Sequence, residues 1–357
     1  MSNIFRDLLK KIGSGVHTGE NLTRQEAEIA MQMMLQEEAT PAQIGAFLIA
    51  HRIKRPTPDE LAGILDAYDR IGPKLDVTNL PFEKPATVLG TPYDGRSRTV
   101  PVTPITVLIL AAVGVPVIMH GGDCMPTKYG VPLIEIWQKL GVDFAALSLV
   151  QIQQFLEKTG LGFIYLPKHF PTANNLVPYR DQIGKRPPLA TAELIWSPCV
   201  GRVHVIAGFV HPPTEERFQT TLPMRGINYY TTIKGLEGSC DLACSRTAII
   251  GMGNPSDPHT LERLLLNPRD YDFNPKDVAF ESTEQAIEQI KTVLQGNSCE
   301  LMDAAVLNGG FYLWRCGVCE DLKAGFSQAK AMLMEGQVLE KLKELHEEFQ
   351  PLRILAN

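Results

Sequence analysis

The stretch from residue 87 to 130 constrains the fold most, because it has the pattern of one strand–helix–strand unit. Thr87–Leu89 is short, apolar and rich in β-branched residues, and it leads into the glycine-containing turn Gly90–Gly95. The apolar run Val100–Val113 follows, and Val115–Met119 then reads as a second buried strand. This order predicts a βαβ unit and therefore a parallel sheet.

Both strands of this unit end in a glycine-rich turn, Gly90–Gly95 after the first and His120–Asp123 after the second. In open parallel sheets, ligands bind outside the carboxyl ends of the strands, where backbone N–H groups can face an anion. The pattern predicts an anion site at these two turns. The alternative is that the glycines only allow tight turns between strands and helices.

Composition favours a globular protein. The chain has 357 residues, of which 44% are hydrophobic, and this length suggests about two domains. We expect no membrane span, because the chain has no run of roughly 18 or more apolar residues. Residues 1–7 do not read as a signal peptide, so we expect a cytoplasmic protein. The net charge of −6 argues against attraction of nucleic acid by bulk charge, but leaves a local basic groove open.

The seven cysteines favour reduced thiols over a disulfide framework, because the number is odd and the chain is long. Cys240 and Cys244 are four residues apart, and Cys316 and Cys319 are three apart. The two pairs leave open either a four-thiolate zinc site or small buried thiols in apolar surroundings.

The first 70 residues have helical periodicity. Thr23 and Glu26 have the spacing of a capping box at the start of one helix. Pro41 and Pro58 each stand at the expected first position of a further helix, directly after a threonine. Because this region shows no strand pattern, we expect a helical domain. Strand-like segments resume after residue 86, and the chain reads as mainly helical from Ser282 onwards.

The chain resembles the anthranilate phosphoribosyltransferase family. The residues that carry the resemblance are Leu22–Ala27, Ala42–Lys54, Gly90–Gly95, His120–Gly121, Arg180 within Pro178–Gly184, and Ala305–Asn308. The similarity spans nearly the whole chain. It implies an α/β protein in which a small N-terminal helical domain joins a larger domain with a central, mostly parallel sheet, as in nucleoside phosphorylases and phosphoribosyltransferases.

The expected organisation is a helical domain over residues 1–72, a linker over 73–85 and an α/β domain over 86–357. A hinge segment around 167–190 is expected to return towards the helical domain, with the site in the cleft between the two domains. The family is also expected to form homodimers through its N-terminal helices, with Phe47 or Leu48 at the interface. A purely structural or regulatory role through such contacts is a further hypothesis.

The resemblance implies transfer of a phosphoribosyl group from phosphoribosyl pyrophosphate to an aromatic amine, as in tryptophan biosynthesis, with Mg²⁺ as cofactor. The residues expected to bind phosphoribosyl pyrophosphate are Gly90, Thr91, Asp94, Gly95, Arg96, Arg98 and Thr103. The residues expected to bind the acceptor are His120, Gly121 and Arg180. Glu237 is the expected metal ligand. Simpler roles stay open: a solvated loop for Arg96 and Arg98, a surface charge for Arg180, and a backbone-bonded histidine for His120.

Several positions depart from the family pattern. Pro92 and Tyr93 stand where the family's phosphate loop has two glycines, and Met119–Asp123 replaces Lys-His-Gly-Asn-Arg. Glu237–Gly238 replaces the Asp-Glu pair that holds the metal. Pro101–Pro104 stands where the family has Asn-Ile-Ser-Thr, and only Thr103 in this segment keeps a hydroxyl. The donor and metal sites are therefore expected to be degenerate.

The same departures resemble a sister branch of the family that keeps the fold and includes nucleic-acid-binding members. The alternative function is therefore a non-catalytic nucleic-acid binder. The cations expected to line its cleft are Arg96, Arg98, Lys168, Arg180, Lys185, Arg186 and Arg202. Phosphoribosyl transfer and nucleic-acid binding are the two functions to be distinguished.

Overall fold

The computed structural model describes residues 3–15 and 17–354, and it begins with a bundle of helices. Phe5, Ile44, Phe47 and Leu65 are buried in its interior. The helices of this bundle are α1 (Asn3–Gly13), α2 (Arg24–Leu35), α3 (Pro41–Lys54) and α4 (Pro58–Ile71).

The start of each helix from α2 to α4 follows from its capping residues. The Thr23 hydroxyl accepts a hydrogen bond from the Glu26 N–H, and the Glu26 carboxylate accepts one from the Thr23 N–H, which confirms the predicted capping box. Thr40 and Thr57 cap α3 and α4 in the same way, with proline at the first helical turn. These bonds satisfy N–H groups that have no partner within the helix.

Phe47 and Leu48 lie inside the bundle, each with 2% of its surface exposed. Phe47 packs its ring against Phe5 at a centroid distance of 5.5 Å. The expectation that Phe47 or Leu48 lines a dimer interface is therefore wrong for this conformation, because neither side chain reaches the surface. Dimerisation itself stays a prediction.

The second domain is built on a sheet of seven strands in the described part of the chain, in the order β4-β3-β2-β6-β7-β8-β9. The first five strands of this order are parallel, and β8 and β9 are antiparallel, which confirms the predicted fold class. The strands are β1 (Leu75–Asp76), β2 (Ala86–Gly90), β3 (Val117–Gly121), β4 (Leu161–Tyr165), β5 (Cys199–Val200), β6 (Val203–Gly208), β7 (Tyr230–Ile233), β8 (Ala248–Asn254) and β9 (Asp257–Leu266).

Helices cover the sheet and make up most of the C-terminal part of the chain. They are α5 (Thr103–Ala112), α6 (Leu133–Lys139), α7 (Leu149–Thr159), α8 (Leu166–His169), α9 (Pro171–Asn174), α10 (Val177–Gln182), α11 (Leu189–Ala192), α12 (Pro212–Met224), α13 (Thr283–Leu294), α14 (Met302–Arg315), α15 (Leu322–Met334) and α16 (Gln337–Ile354). Short 3₁₀ turns lie at Glu193–Ile195, Leu236–Gly238 and Pro268–Tyr271. Among the described residues, no helix has the length and apolar character needed to cross a membrane.

Two details of the sheet go beyond the sequence-based prediction. The last two strands, β8 and β9, form an antiparallel hairpin. The strand β7 was not predicted, although it lies inside the sheet between β6 and β8. Its residues, Tyr-Thr-Thr-Ile, form neither an apolar run nor an alternation of apolar and polar side chains.

Several segments besides the chain connection at residue 72 hold the two domains together. The strand β1 pairs in parallel with β5, so the expected linker is partly bound into a small second sheet. Farther along the chain, α10 packs against α3 and α11 packs against α4. The segment around 167–190 therefore lies between the helical bundle and the carboxyl end of the large sheet.

The cysteine pairs do not gather into a metal cluster. Cys240 is buried, and its Sγ lies 3.2 Å from the Gly90 carbonyl oxygen. Cys316 is also buried, and burial raises the pKa of its thiol to about 11. No group of three or more potential ligands among His, Cys, Asp and Glu occurs within the described ranges. These thiols act as small, neutral, buried groups.

Glu60 anchors the helical bundle electrostatically. Its fully buried carboxylate accepts hydrogen bonds of 2.8 Å from the Leu22 N–H, the Thr57 N–H and the Lys54 ammonium group. Burial by itself opposes ionisation, but His51, Lys54 and the Thr57 N–H outweigh it and lower the pKa of Glu60 from 4.5 to about 2. The carboxylate therefore stabilises the fold in its charged form.

We expect Glu60→Gln to lower the free energy of unfolding by about 3 kcal/mol, because it leaves a half-buried cation without its partner. Urea denaturation at pH 7 measures this change, with the exposed Glu38→Gln as control. The contribution of Glu60 is complete above pH 4.5 and is lost as the pH falls towards 2. Equal stability of both variants would contradict the assigned role.

Candidate functional site

A cleft of about 710 Å³ lies at the carboxyl ends of the parallel strands. Val210 and His211 follow β6 on its wall, and Lys234 and Gly235 follow β7. The loop after β2 contributes Arg98 and its neighbour in sequence. The lining residues come from the α/β domain and from the segment that returns to the helical bundle. Such a cleft at the strand ends is the usual ligand site of this architecture.

Glu237 projects from the turn after β7 into the loop that follows β2. Its carboxylate accepts hydrogen bonds from three consecutive backbone N–H groups, those of Ser97 at 3.2 Å, Arg98 at 3.0 Å and Thr99 at 3.1 Å. It also pairs with the Lys128 ammonium group. The carboxylate thus occupies a cradle of donors that would equally suit an anion from solution.

Arg96 is a further donor to the Glu237 carboxylate. Its Nε donates to Glu237 at 3.2 Å, and its Nη1 donates to Asp241 at 2.5 Å. Asp241 also accepts from the Thr103 hydroxyl at 2.7 Å. Burial opposes ionisation of Glu237, but Lys128, Arg96 and the Arg98 N–H lower its pKa to about 2. Arg96 and Thr103, expected to bind phosphoribosyl pyrophosphate, are bound within the protein in this conformation.

These contacts do not fit a magnesium site. Mg²⁺ requires oxygen ligands that are free to coordinate it. The Glu237 carboxylate faces Arg96 and Lys128, and the Asp241 carboxylate faces Arg96, so a divalent cation would meet positive charge at both. The expected role of Glu237 as a metal ligand therefore disagrees with the geometry, because its oxygens already serve as acceptors for cations and N–H groups.

The turn after β2 is closely packed. A Cβ on Gly90 would lie 1.8 Å from the Leu194 carbonyl oxygen, so the space beside Gly90 is filled by backbone. The Thr91 hydroxyl donates to the His120 carbonyl oxygen at 3.2 Å. Gly95 has φ 73°, a conformation that favours glycine. Asp94 pairs with Arg186 and is 5% exposed, so its carboxylate is also engaged.

Tyr93 and His120 form a buried hydrogen-bonded pair beside Gly121. The Tyr93 Oη lies 2.6 Å from His120 Nδ1, and His120 Nε2 lies 3.1 Å from the Trp196 carbonyl oxygen. Because a carbonyl only accepts, Nε2 carries the proton and Nδ1 accepts from Tyr93. Burial lowers the pKa of His120 to about 4. His120 is therefore a neutral, fully bonded side chain, and Tyr93 fills the space on one side of it.

Arg180 is also engaged within the protein. Its Nη1 donates to the Glu193 carboxylate at 3.0 Å, and its Nη2 makes a second bond to the same carboxylate. Arg180 and Glu193 are 3% and 1% exposed. Tyr68 donates to Glu193 at 3.4 Å, and its ring lies edge-on to Trp196. The Arg180 guanidinium, predicted to bind the carboxylate of the acceptor, instead binds the carboxylate of Glu193 within the protein.

The cleft has cations of its own that lie nearer to solvent. Arg98 and Arg246 are exposed, and Lys234 is half-buried. Arg246 donates to the Gly235 carbonyl oxygen at 3.2 Å. No carboxylate lies within ion-pair distance of these three side chains among the residues that the structure describes. Their charges are available to a ligand.

The cations expected to line a nucleic-acid cleft are only partly brought together. Arg98 and Arg186 line the cleft, whereas Arg96 and Arg180 lie in buried ion pairs. Lys168 bonds to the carbonyl oxygens of two residues before α7. Arg202 lies in a separate depression beside the linker, and Lys185 is exposed next to Arg186. Sequence reasoning missed the lining residues Lys128, Lys234 and Arg246.

Comparison with known proteins places this chain in a family. The glycosyl transferase family model for the helical bundle domain matches residues 6–71, and the model for the a/b domain of that family matches residues 88–339. The chain belongs to glycosyl transferase family 3. Within the family, it is similar to the anthranilate phosphoribosyltransferase of Acetivibrio thermocellus, with 27% identity over 347 residues, 95% of this chain and 96% of the relative. An uncharacterized protein of Aquifex aeolicus is 27% identical over 92% of this chain and 98% of its own.

Solved structures of the glycosyl transferase family share the fold. The anthranilate phosphoribosyltransferase of Thermus thermophilus matches with a TM-score of 0.80 and 20% identity over 96% of this chain and 99% of its own. The Saccharomyces cerevisiae enzyme, in complex with PRPP and Mg, matches with a TM-score of 0.81 and 14% identity over 97% and 98%. At such identities the likeness establishes the architecture alone.

The Arg180–Glu193 pair distinguishes the described site from one with a free arginine. We expect Glu193→Gln to lower the free energy of unfolding by about 3–5 kcal/mol, because it leaves a buried guanidinium unpaired. The matched control is Glu216→Gln on the exposed surface of α12. Urea denaturation compares the two variants. A loss below about 1 kcal/mol for Glu193→Gln would show that the pair is not maintained in solution.

Proposed function

We propose that this protein binds nucleic acid in its cleft through the phosphate groups, without transferring a phosphoribosyl group to an aromatic amine. The observation that carries the proposal is the set of unpaired cations at the cleft, Arg98, Lys234 and Arg246. They lie at the carboxyl ends of parallel strands, where ligands of this architecture bind. Lysine and arginine side chains in such a position neutralise phosphates and release their counterions.

The charge of the cleft differs in sign from that of the whole chain. The net charge of the protein is −6. The cleft is lined by five lysine or arginine side chains and by two carboxylates, and the pairing of Arg186 with Asp94 leaves an excess of two positive charges. The carboxylates are Glu237 and Asp277, and Asp277 accepts hydrogen bonds from the Cys244 N–H and from Ser245. Positive potential is therefore concentrated where a ligand would enter.

Phosphoribosyl transfer by the family's reaction is less compatible with these contacts. That reaction needs carboxylates to hold magnesium, but Glu237 and Asp241 are bound to cations and N–H groups. It also needs a pocket for the aromatic acceptor, but Tyr93 fills the space next to His120. Finally, Arg180 is paired with Glu193 and is not free to bind an acceptor carboxylate. All of these groups would have to rearrange together for the reaction to proceed.

We expect a fluorescein-labelled single-stranded oligonucleotide to bind with an affinity that falls as salt rises. Three phosphate contacts predict a slope of about −2 for log K against log salt. Fluorescence anisotropy between about 50 and 200 mM salt measures this slope. Arg98→Gln combined with Lys234→Gln should weaken binding and flatten the slope by about 1.4.

The control for charge is Lys291→Gln, which removes an exposed cation from α13, outside the cleft lining. This variant should bind like the unchanged protein. Equal weakening by the control and by the cleft variant, or affinity that does not depend on salt, would contradict binding through the cleft. Double-stranded DNA and RNA of the same length, measured in parallel, show which nucleic acid is preferred.

Phosphoribosyl transfer stays the second candidate, since a relative named anthranilate phosphoribosyltransferase matches along 95% of this chain. We expect no pyrophosphate release when the protein is incubated with phosphoribosyl pyrophosphate, Mg²⁺ and anthranilate or another aromatic amine. Calorimetry with phosphoribosyl pyrophosphate and Mg²⁺ tests the donor site directly, with Arg98→Gln as the matched variant. Turnover with any amine would overturn the proposed loss of the reaction.

A homodimer formed through the N-terminal helices is proposed on the family resemblance alone. Because Phe47 and Leu48 are buried, the contact would have to use other side chains of these helices, such as Ile53, which is 68% exposed. Sedimentation of the purified protein at micromolar concentration distinguishes a dimer from a monomer.

A further inference from the structure

We propose that a cavity beside the C-terminal helices binds a small organic cation of the quaternary ammonium class. The cavity has a volume of about 590 Å³ and lies between residues 271–274, which follow β9, and the helices α14 and α15. It shares no lining residue with the cleft. A cavity of this size can enclose a small-molecule ligand. The inference goes beyond the proposed function and does not depend on it.

Three aromatic side chains, Tyr271, Phe273 and Phe326, line this cavity. The centroid of the Phe326 ring lies 5.0 Å from that of Tyr271 and 5.0 Å from that of Phe273. The ring planes meet at 74° and 89°, so the Phe326 ring is nearly perpendicular to both neighbours. The face of an aromatic ring attracts a cation that lies within about 6 Å of its centroid. Rings that meet at such angles can contact a cation from more than one side.

Close packing of α14 against α15 holds two of these rings in place. A Cβ on Gly325 would lie 2.3 Å from the Gly310 carbonyl oxygen, and a Cβ on Gly310 would lie 2.5 Å from Phe326 Cδ1. Phe273 and Phe326 are accordingly only 8% and 7% exposed. The aromatic wall therefore exists before a ligand binds, and a preformed wall loses little conformational entropy on binding.

The charge of the cavity favours a cation. The lining contains the carboxylates of Asp272, Glu300 and Asp303 and the ammonium group of Lys330. Glu300 pairs with Lys276, outside the lining, at 3.8 Å, which leaves one excess negative charge. A monovalent cation would balance this charge.

Two of the three carboxylates have no cation of their own. Neither Asp272 nor Asp303 lies within ion-pair distance of a lysine, arginine or histidine among the residues that the structure describes. Asp303 accepts a hydrogen bond of 3.0 Å from the Asn274 N–H, which holds its side chain at the cavity wall. Asp272 stands between Tyr271 and Phe273 in the sequence, so negative charge and aromatic rings are adjacent.

The rest of the lining indicates which kind of cation fits. Met302, Val306 and Met334 add apolar surface, which suits alkyl groups better than N–H groups that need acceptors. Within the described ranges, no three potential metal ligands come together, so the carboxylates do not converge as a metal ion requires. A quaternary ammonium group combines positive charge with apolar surface, and aromatic rings are its usual surroundings in proteins.

Calorimetry with choline tests the site, in comparison with the uncharged isostere in which carbon replaces the ammonium nitrogen. We expect choline to bind and to raise the melting temperature of the protein by linkage. The isostere should bind about tenfold more weakly, because it lacks the attraction between cation and ring. Equal affinity for the two compounds would overturn the inference, since apolar contact alone would explain it. No binding of choline would overturn it as well.

Substitutions test the aromatic ring and the charge separately. Tyr271→Leu should weaken choline binding about fivefold, whereas the matched Tyr271→Phe keeps a ring and should bind like the unchanged protein. Asp303→Asn keeps the shape of the side chain but removes its charge, so it should also weaken binding about fivefold. The charge control is Glu320→Gln, an exposed carboxylate outside the lining, which should leave the affinity unchanged.

Lys330→Gln gives a test in the opposite direction, because it removes a positive charge from the lining. This variant should bind choline about threefold more tightly. The site would be overturned by weaker or unchanged binding here, or by equal losses in Asp303→Asn and its control Glu320→Gln. If Tyr271→Leu does not fold, Asp303→Asn and Lys330→Gln decide the question, since neither side chain is fully buried.

Discussion

The hydrogen bonds and ion pairs of the buried Arg96 guanidinium hold together the loops at the carboxyl edge of the sheet. It donates to Glu237 at 3.2 Å, to Ser239 at 2.9 Å and to Asp241 at 2.5 Å. These partners belong to the chain after β7, whereas Arg96 belongs to the loop after β2. Asp241 in turn accepts from Thr103 at the start of α5. One cation thus ties the first crossover helix to the chain after β7, and its charge together with that of Lys128 balances the two carboxylates.

The inner wall of the site, which contains the Arg180–Glu193 and Tyr93–His120 pairs, also consists of polar groups that are bonded to each other. Arg180 is paired with Glu193, and the His120 ring is bonded on both nitrogens, to Tyr93 and to the Trp196 carbonyl oxygen. A buried polar group is costly without a partner, so each of these groups stabilises the fold only as part of its pair. Groups that are paired within the protein are poor ligands for a substrate. The inner wall is therefore structural in the described conformation.

The outer wall of the site, formed by Arg98, Lys234 and Arg246, carries cations without a carboxylate partner among the described residues. Arg98, Lys234 and Arg246 stand at the mouth of the cleft, partly or largely exposed. Exposed cations gain little from fixed internal partners, but they are well placed to contact a flexible chain of phosphates. The division into an inner wall of bonded groups and an outer wall of available cations separates fold stability from ligand binding. A site of this kind can bind anions without disturbing the buried pairs that stabilise the fold.

Much of the architecture followed from the sequence itself, because helix caps, glycine-containing turns and apolar strands are encoded by neighbouring residues. The capping box at Thr23, the strands around Gly90 and His120 and the helical C-terminal part are examples. The interaction partners of the site residues could not be predicted from the sequence. Glu193 lies in a short 3₁₀ turn, and Glu237 pairs with Arg96 across 141 positions of the chain. Local pattern determines which elements form, but tertiary packing decides which charges meet, since an ion pair depends on distance in space and on burial.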